Sequence, residues 1–365
     1  MRNKRILIAL HRLEGGGAER QAAYLAEGLV QRGYSVTVLA FGKREGLALE
    51  WFNAIRISPL CTGFSERFLL DYSKSLRSWW LRKKYAHKLI AIVCSLQVNV
   101  IIPFTYPPNV IYGILWRKMN VAKCFWNQRD EGRLFLGRSF ETTALNHVTT
   151  IISNSMAGRN FLEKYTNREV MVIHNGIRQL VTPRAEDHDD LNVVMIANIH
   201  KYKDHLTLLK AWKKITRRIN NVKLLLAGKE GDAALEVKQY VVENMLADSV
   251  SFLGQVNDIP SLLRIVDIGV FSSNNEGVPN GILECMSTGL PVVATRIEGS
   301  EEALGVDYQF LSEPSNDTDL FDKLMLLLED GDLRVKVGKA NRERVKRKFS
   351  TEIMLDKYLF LIESI

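Results

Sequence analysis

The sequence predicts an α/β protein made of two parallel-sheet domains that face each other across a cleft. Short apolar segments alternate with helical patterns along the whole chain, which is typical of parallel sheets covered by helices. The 365 residues suffice for two domains, each with its own core. An acidic stretch with one proline, residues 178–190, interrupts the alternation near mid-chain and is predicted to be the linker.

Composition and cysteine usage favour a protein of a reducing compartment. Hydrophobic residues make up 46% of the chain, yet no segment approaches the roughly 20 apolar residues that a membrane-spanning helix needs. The segment Ile6–Leu10 is too short for a signal-peptide core and is predicted to be a buried strand. The four cysteines form no Cys-x-x-Cys pair and lie far apart. We therefore expect a cytoplasmic protein with reduced thiols.

Charge is distributed unequally between the two halves. Residues 1–178 contain 26 Lys/Arg and 12 Asp/Glu, a net charge of +14, whereas residues 179–365 carry a net charge of −6. The basic half indicates contact with something anionic: nucleic acid, an anionic membrane surface or a phosphorylated ligand. A basic surface without a partner is the ordinary alternative. Nucleic acid is disfavoured because no recognition motif accompanies the charge.

A glycine-rich loop follows the first predicted strand, Arg5–Leu10. Residues 14–20 read Glu-Gly-Gly-Gly-Ala-Glu-Arg and lead into a helix that ends at Gly33, before a second strand at Ser35–Phe41. Glycines at this place permit a tight turn and a close approach of backbone to a phosphate. The loop lacks the spacing of a dinucleotide-binding fingerprint, and no acidic residue closes the second strand.

One long helical pattern covers residues 64–96, where apolar residues alternate with lysines and arginines. Trp79 and Trp80 lie within it, next to Arg82, Lys83 and Lys84. Basic residues beside tryptophans suit a membrane interface. The alternative, a surface helix whose tryptophans belong to the core, remains open.

The rest of the first half follows the same alternation. Residues 127–133 form a polar cluster directly after a buried strand, where open α/β sheets place their ligands. The remaining predicted elements are strands at Val98–Phe104, Ala122–Trp126, Thr149–Ser153 and Val170–His174, and helices at Pro107–Met119 and Ser155–Tyr165.

The second half begins with a strand at Leu191–Ala197 and the polar turn 198–205. Further elements are strands at Val222–Ala227 and Val250–Leu253, and helices at Ala233–Met245, Ile259–Ile265, Asp319–Leu328, Leu333–Phe349 and Glu352–Ile362.

Residues 267–295 are the most informative stretch of the chain. A buried strand, 267–271, precedes a loop that contains Glu276, and Asn280 is predicted to cap a short helix that contains Glu284. A helix N-terminus suits a phosphate, and fixed carboxylates suit sugar hydroxyls. Taken singly, Glu276 could instead cap a turn and Glu284 could be a solvated helix residue.

As a whole, this stretch resembles the signature of the retaining glycosyltransferases of family 4, which have the GT-B fold of two Rossmann-like domains. The signature is Glu276, seven residues and Glu284, then small residues and Gly-Leu-Pro-Val-Val-Ala at 289–294. The Gly-Gly-Ala-Glu-Arg of residues 16–20 resembles the start of many family members. His-Asn-Gly-Ile at 174–177 resembles their interdomain turn, and residues 298–302 resemble their Gly-Gly-x-x-Glu turn.

The resemblance implies the following organisation. Residues 1–178 would form an acceptor-binding domain and residues 179–348 a nucleotide-sugar-binding domain. Residues 349–365, with the last predicted helix, would return to the first domain. The implied reaction is hexosyl transfer from a nucleotide diphosphate, UDP being favoured, to a glycan acceptor that can be lipid-linked, in bacterial surface polysaccharide or glycan assembly.

The resemblance also implies roles for individual residues. Lys203 and Glu276 would act in catalysis, Lys203 on the diphosphate and Glu276 on the donor sugar. Glu284 would bind the ribose. The remaining donor-binding positions would be Gly17, Asn198, Asn280 and Gly281.

Two departures from the family pattern are visible. Asn198 stands where the family has an arginine on the diphosphate, so Lys201 or His200 would have to supply the missing charge. The loop at 127–133 lacks the histidine that related enzymes often have, and Arg129 or Asp130 is expected on the acceptor side instead. No Asp-x-Asp stands in a suitable loop, so no metal cofactor is expected.

Two rival functions share this fold. A sugar-nucleotide 2-epimerase would need a cluster of ionisable residues around the sugar, and the sequence shows none. A donor-binding subunit without activity is the non-enzymatic alternative, for which Asn198 and the missing histidine leave room. For a transferase we expect a cytoplasmic location, with peripheral binding to the cytoplasmic face of the inner membrane as the role of the basic half.

Overall fold

The structure, a computed structural model, describes residues 4–73, 75–130, 132, 134–178 and 190–364, and it comprises two compact units. Unit 1 runs to Gly176 and resumes at Thr351, and unit 2 is Ile177–Ser350. Most of the predicted linker, residues 179–189, lies outside the described residues, as do Glu131 and Arg133.

In unit 1, the described residues form a parallel sheet of seven strands in the order β3-β2-β1-β4-β5-β6-β7. Strand order reverses between β1 and β4, which are hydrogen-bonded neighbours. Both faces of the sheet are covered, so its strands are apolar on both sides. The strands are β1 (Arg5–Leu10), β2 (Ser35–Ala40), β3 (Leu60–Cys61), β4 (Val100–Pro103), β5 (Lys123–Gln128), β6 (Thr150–Ser153) and β7 (Val170–Val172).

The helices of unit 1 cover this sheet, and the last helix of the chain is one of them. Leu355, Tyr358 and Leu359 of that helix are buried in the same core as β1. Leu355 packs against Gly28, where a Cβ would approach a leucine methyl group to 2.8 Å. The predicted return of the C-terminal helix to the first domain is therefore confirmed. These helices are α1 (Gly17–Gln31), α2 (Ala48–Ala54), α3 (Arg67–Leu70), α4 (Leu76–Leu96), α5 (Tyr106–Leu115), α6 (Ser139–His147), α7 (Met156–Leu162) and α15 (Thr351–Glu363).

In unit 2, the described residues form a second parallel sheet of six strands in the order β10-β9-β8-β11-β12-β13. Here strand order reverses between β8 and β11. Its strands are β8 (Leu191–Ile196), β9 (Val222–Ala227), β10 (Val250–Gly254), β11 (Ile268–Phe271), β12 (Val292–Thr295) and β13 (Leu311–Ser312). Its helices are α8 (His205–Ile215), α9 (Ala234–Glu243), α10 (Ile259–Leu263), α11 (Asn280–Ser287), α12 (Glu298–Leu304), α13 (Asp317–Glu329) and α14 (Gly331–Lys348). Two α/β domains with parallel sheets were the predicted fold class, and this is confirmed.

Three local predictions are wrong. The pattern at 64–96 is two helices, α3 and α4, because the Asp71 carboxylate accepts hydrogen bonds from the Ser73 N–H and the Ser78 hydroxyl and turns the chain between them. The cap of α11 is Pro279, and Asn280 is the first helical residue. Residues 298–302, predicted as a turn, begin helix α12.

Candidate active site

The reversal of strand order in unit 2 brings two predicted site loops together. The loop after β8 contains Lys203, and the loop after β11 contains Glu276. Because β8 and β11 are parallel neighbours, both loops leave the same edge of the sheet. Open α/β sheets bind their ligands at this point, outside the carboxyl ends of the strands.

Lys203 and Glu276 form an ion pair at this edge. The Lys203 ammonium contacts Glu276 Oε2, and the Ser273 hydroxyl donates to Oε1 of the same carboxylate. The side chains of Lys203 and Glu276 are only 13% and 10% exposed. A pair this buried is screened less by water and salt than a surface pair. The structure thus brings the two predicted catalytic residues together.

Further hydrogen bonds join the two loops. The Ser272 hydroxyl donates to the Lys203 carbonyl at 3.0 Å, and the Asn274 N–H donates to the Tyr202 carbonyl at 2.8 Å. Asp204 adopts a left-handed conformation with φ 48° at the start of α8. Its carboxylate accepts from the Asn274 side chain at 3.1 Å. These bonds fix the backbone on both sides of the ion pair.

Close packing places helix α11 and the Glu276 loop. A Cβ on Gly281 would lie 2.7 Å from the carbonyl oxygen of Ile196, the last residue of β8. A Cβ on Gly299 would lie 2.0 Å from the Gly277 carbonyl oxygen. Glycine at both positions therefore lets α11 approach the strand ends and α12 approach the loop. The first backbone N–H groups of α11, from Asn280 and Gly281, belong to this edge.

Glu284 lies in the second turn of α11 and is buried, with 6% of its surface exposed. The alternative of a solvated helix residue is therefore wrong. Because a carboxylate is rarely buried without polar partners, the burial of Glu284 calls for polar groups in contact with its carboxylate.

Asn198 lies exposed just beyond β8, and its side-chain oxygen accepts from the Lys229 N–H at 2.9 Å. His200, one predicted substitute for the missing arginine, contacts Asp232 at 3.0 Å. The Lys201 N–H and the His200 ring hold the pKa of Asp232 below its ordinary value. Lys229 is a further lysine at this edge that the sequence reasoning missed. The available signal was its place directly after strand β9.

His205, the first residue of α8, follows Lys203 by two positions and is buried. Burial, and then the positive charge of Lys203, lower the pKa of the His205 imidazole to about 4. The ring is therefore neutral at physiological pH and leaves Lys203 as the cation facing Glu276.

In unit 1, Gly17 is the first residue of helix α1, which follows β1 at the reversal of strand order in that sheet. The Gly16 N–H donates to the Glu19 carboxylate at 2.9 Å, which holds the loop against the helix. Burial raises the pKa of Glu19 above its ordinary value. The glycine loop thus occupies the ligand-binding edge of the first sheet, as Lys203 does in the second.

Arg129 and Asp130 follow β5 at the same edge of the first sheet, but their surroundings differ. Asp130 accepts from the Gln128 side chain at 2.5 Å and from the Gly132 N–H at 2.8 Å, so it holds its own loop. Arg129 contacts the side-chain oxygens of Asn127 and Asn175. Burial lowers the pKa of Arg129. Of the two predicted acceptor-side residues, Arg129 has the less satisfied side chain.

Helix α4 exposes its tryptophans. Trp79 and Trp80 are 47% and 55% exposed, so the alternative in which they belong to the core is wrong. The Lys83 ammonium lies 4.0 Å from the Trp79 ring centre, and the Lys84 ammonium lies 5.0 Å from that of Trp80. We call these four residues the α4 surface. A cavity of about 270 Å³ adjoins it, lined by Leu69, Tyr72, Arg82, Lys83, Ala86, Ile111, Ile114, Leu115 and Lys118.

None of the described helices is both long and apolar enough to cross a membrane. No group of three or more His, Cys, Asp or Glu side chains in the described ranges is arranged to hold a metal ion.

Comparison with known proteins identifies relatives for both halves of the chain. Residues 15–178 match the family model described as "Glycosyltransferase Family 4", and residues 178–344 match "Glycosyl transferases group 1". N-acetyl-alpha-D-glucosaminyl L-malate synthase of Bacillus anthracis is 26% identical over 58% of this chain and 58% of its own length. N,N'-diacetylbacillosaminyl-diphospho-undecaprenol alpha-1,3-N-acetylgalactosaminyltransferase of Campylobacter jejuni is 34% identical over 34% of this chain and 33% of its own.

Among solved structures, HepE of Anabaena in complex with UDP and glucose has a TM-score of 0.83. Its sequence is 18% identical, and the match covers 100% of both chains. At this identity the likeness establishes the fold alone.

Proposed function

We propose, from the premise that the chain belongs to the family 4 glycosyltransferases with the GT-B fold, that it transfers a sugar from UDP to a glycan acceptor with retention of configuration. The observation that carries this proposal is the mostly buried Lys203–Glu276 pair at the strand-order reversal of unit 2. A cation for a leaving diphosphate and a carboxylate for sugar hydroxyls stand there side by side.

The donor is proposed to bind at the edge where these loops meet. Lys203, with the first N–H groups of α11 from Asn280 and Gly281, would neutralise the diphosphate. Glu284 would accept hydrogen bonds from the ribose, and Glu276 from the transferred sugar. That HepE was solved with UDP supports the choice of nucleotide.

Two weaker donor contacts are proposed from the remaining predicted positions. Gly17, in the glycine loop of unit 1, is proposed as a donor-binding position because a residue without a Cβ allows backbone N–H groups to reach phosphate oxygens. Asn198 supplies an amide but no charge, so Lys203 would carry more of the neutralisation than in relatives with an arginine. Lys229, whose backbone N–H donates to Asn198, is an additional lysine along this edge.

The proposed chemistry needs no protein nucleophile and no metal ion. The bond between the anomeric carbon and the departing phosphate oxygen breaks, and the acceptor oxygen forms its bond on the same face of the sugar. The acceptor proton passes to the departing phosphate. Lys203 and the helix α11 N–H groups lower the barrier because they stabilise the negative charge that develops on that phosphate.

The acceptor is proposed to be lipid-linked and presented at an anionic membrane surface. The α4 surface supports this, since exposed tryptophans with lysines stacked on them suit the interface of an anionic bilayer. The Campylobacter relative is named for a diphospho-undecaprenol substrate. A role in assembling a surface polysaccharide or glycan of a bacterium follows from such an acceptor.

A screen of nucleotide sugars for protection against thermal unfolding tests the donor. UDP and one UDP-sugar should raise the unfolding temperature, because a ligand that binds only the native state stabilises it. Incubation of that UDP-sugar without acceptor distinguishes the transferase from the rival epimerase. An epimer as product would identify an epimerase, and absence of protection by every nucleotide sugar would contradict the proposed function.

Vesicle binding tests the membrane proposal. Lys83→Gln/Lys84→Gln should weaken binding to phosphatidylglycerol vesicles roughly 10- to 30-fold, since each lysine near such a surface contributes about 1 kcal/mol. Salt should weaken it too. Lys346→Gln/Lys348→Gln, exposed on α14, is the matched control. Equal binding to phosphatidylcholine alone, or full binding by the Lys83/Lys84 variant, would contradict the proposal.

A further inference from the structure

Arg129 differs from three other arginines of unit 1 in the groups that its guanidinium contacts. Arg138 pairs with Glu141 at the start of α6, and Arg159 pairs with Glu163 at the end of α7. Arg168 donates to three backbone carbonyls, those of residues 146, 148 and 149. No carboxylate of the described residues lies within ion-pair distance of the Arg129 guanidinium.

The contacts of Arg129 are with neutral groups. Its guanidinium donates to Asn127 Oδ1 at 3.4 Å and to Asn175 Oδ1, and it lies 5.1 Å from the centre of the Phe104 ring. It also interacts with the Tyr358 hydroxyl. Its Nε is shielded from solvent and has no hydrogen-bond partner among the described residues. The Tyr358 hydroxyl of α15 donates to Asn127 Oδ1 at 3.1 Å and fixes the amide that holds the arginine.

A guanidinium in such neutral surroundings lowers the stability of the fold unless an anion binds to it. Arg129 is partly buried, and a cation withdrawn from water without a countercharge carries a desolvation penalty that side-chain amide oxygens compensate only in part. Two further polar atoms of the cluster, Asn127 Nδ2 and Asn154 Oδ1, are also buried without partners among the described residues. The cluster follows β5 and β6, at the edge of the sheet where ligands bind.

We propose that Arg129 binds an anionic group of the acceptor, a phosphate or a carboxylate, through the fork of its guanidinium. This inference rests on the proposed function, which places the acceptor on unit 1. A planar fork of N–H donors matches either anion with two parallel hydrogen bonds, and arginine does this better than lysine or histidine. Asn127, Asn175 and Tyr358 are positioning residues that hold the fork in place.

The test is thermal unfolding of the full chain with UDP at saturation and ionic strength held constant. Saturating UDP occupies the proposed donor site, so that a further shift reports a second anion site. The probes are inorganic pyrophosphate, sodium glucuronate and, as a neutral control, glucose. We expect the unfolding temperature to rise with the logarithm of anion concentration and not with glucose.

Three variants identify the residue responsible. Arg129→Met should need at least tenfold more anion for the same shift. Without anion it should unfold at the same temperature as the wild type or higher, because an uncompensated charge has been removed. Arg159→Met, a surface arginine paired with Glu163, and Glu131→Gln, a carboxylate near Arg129 in sequence, should keep the wild-type response.

Each outcome either supports the inference or overturns it. A response to pyrophosphate assigns a phosphate-bearing acceptor, and a response to glucuronate assigns one with a carboxylate. An unchanged anion response in Arg129→Met overturns the inference, as does a wild type that ignores both anions. If Arg129→Met and Arg129→Gln both fail to fold, Arg129 is a structural cation and the inference is wrong. Failure of the proposed function is a separate result, because it appears as absent protection by UDP and UDP-sugars before any other anion is added.

Discussion

Replacing Lys203 tests the ion pair at the centre of the candidate site. Lys203→Ala removes the cation that we assign to the leaving diphosphate and leaves the Glu276 carboxylate with the Ser273 hydroxyl as its remaining contact among those described. Two effects should follow. Transfer should slow because developing charge is no longer stabilised, and the empty protein should lose stability because a mostly buried carboxylate has lost its partner.

The exposure of the two side chains sets the size of each effect. Exposed ion pairs contribute roughly 0–1 kcal/mol, and breaking a fully buried one costs roughly 3–5 kcal/mol. At 13% and 10% exposure the Lys203–Glu276 pair lies between these limits, so we expect a loss of about 1–3 kcal/mol in the free energy of unfolding. Loss of a charge-stabilising donor should cost about 2–4 kcal/mol in the transition state, or roughly 30- to 1000-fold in kcat/KM.

The assay compares kcat/KM and urea unfolding across matched variants. Lys214→Ala is the control, because Lys214 pairs with Asp317 at 39% and 31% exposure and should change either quantity by less than about 1 kcal/mol. Lys203→Ala/Glu276→Gln should regain much of the stability but none of the activity, since it removes the unpaired charge without restoring the cation. The reasoning is refuted if Lys203→Ala behaves like Lys214→Ala, or if a chelator abolishes turnover while Lys203→Ala retains it.

Three further predictions follow from the same geometry. Glu284→Ala should weaken both UDP and UDP-sugar in calorimetric titrations, whereas Glu276→Ala should spare UDP and lose transfer; equal effects on UDP would contradict the assigned roles. Gly281→Ala places a Cβ 2.6 Å from a ring carbon and should cost about 1–3 kcal/mol of stability, whereas Gly331→Ala, whose Cβ has no neighbour closer than 3.5 Å, should cost nothing measurable by urea unfolding. The His205 imidazole has a pKa of about 4 in the fold and about 6.5 when unfolded, so its stabilising contribution is complete above pH 6.5 and declines as the pH falls toward 4. His205→Gln should flatten urea midpoints across that window, and an unchanged slope would remove His205 as its cause.

The sequence predicted the main elements of both sheets because apolar runs bounded by glycine, proline and polar turns are local signals. It missed β3 and β13, which are two residues long and have too little pattern to detect. The break between α3 and α4 was missed for another reason. The apolar pattern continues through the break. Helix α3 ends because the Asp71 carboxylate accepts hydrogen bonds from Ser73 and Ser78, and these local bonds compete with continuation of the helix.

The candidate site shows a different limit. Family resemblance found Lys203 and Glu276 as separate ligand-binding residues, but their contact joins positions 73 apart and depends on β8 lying beside β11. No local pattern encodes that adjacency. Likewise, the unusual feature of Arg129 is the neutral character of its neighbours Asn127 and Asn175, which only the folded structure reveals.

The pairing of Lys203 with Glu276 has a consequence for donor binding on the proposed function. Without ligand, each side chain serves as the countercharge of the other, which keeps two mostly buried charges tolerable. A diphosphate that takes the ammonium for itself leaves the carboxylate in need of donors, and the hydroxyls of a transferred sugar supply them. UDP alone provides a diphosphate for the Lys203 ammonium but no sugar hydroxyls for the Glu276 carboxylate. The binding free energy that a complete UDP-sugar gains over UDP should therefore exceed what its extra contacts with an unpaired carboxylate would give. The ion pair itself would thus discriminate between the donor and the product UDP.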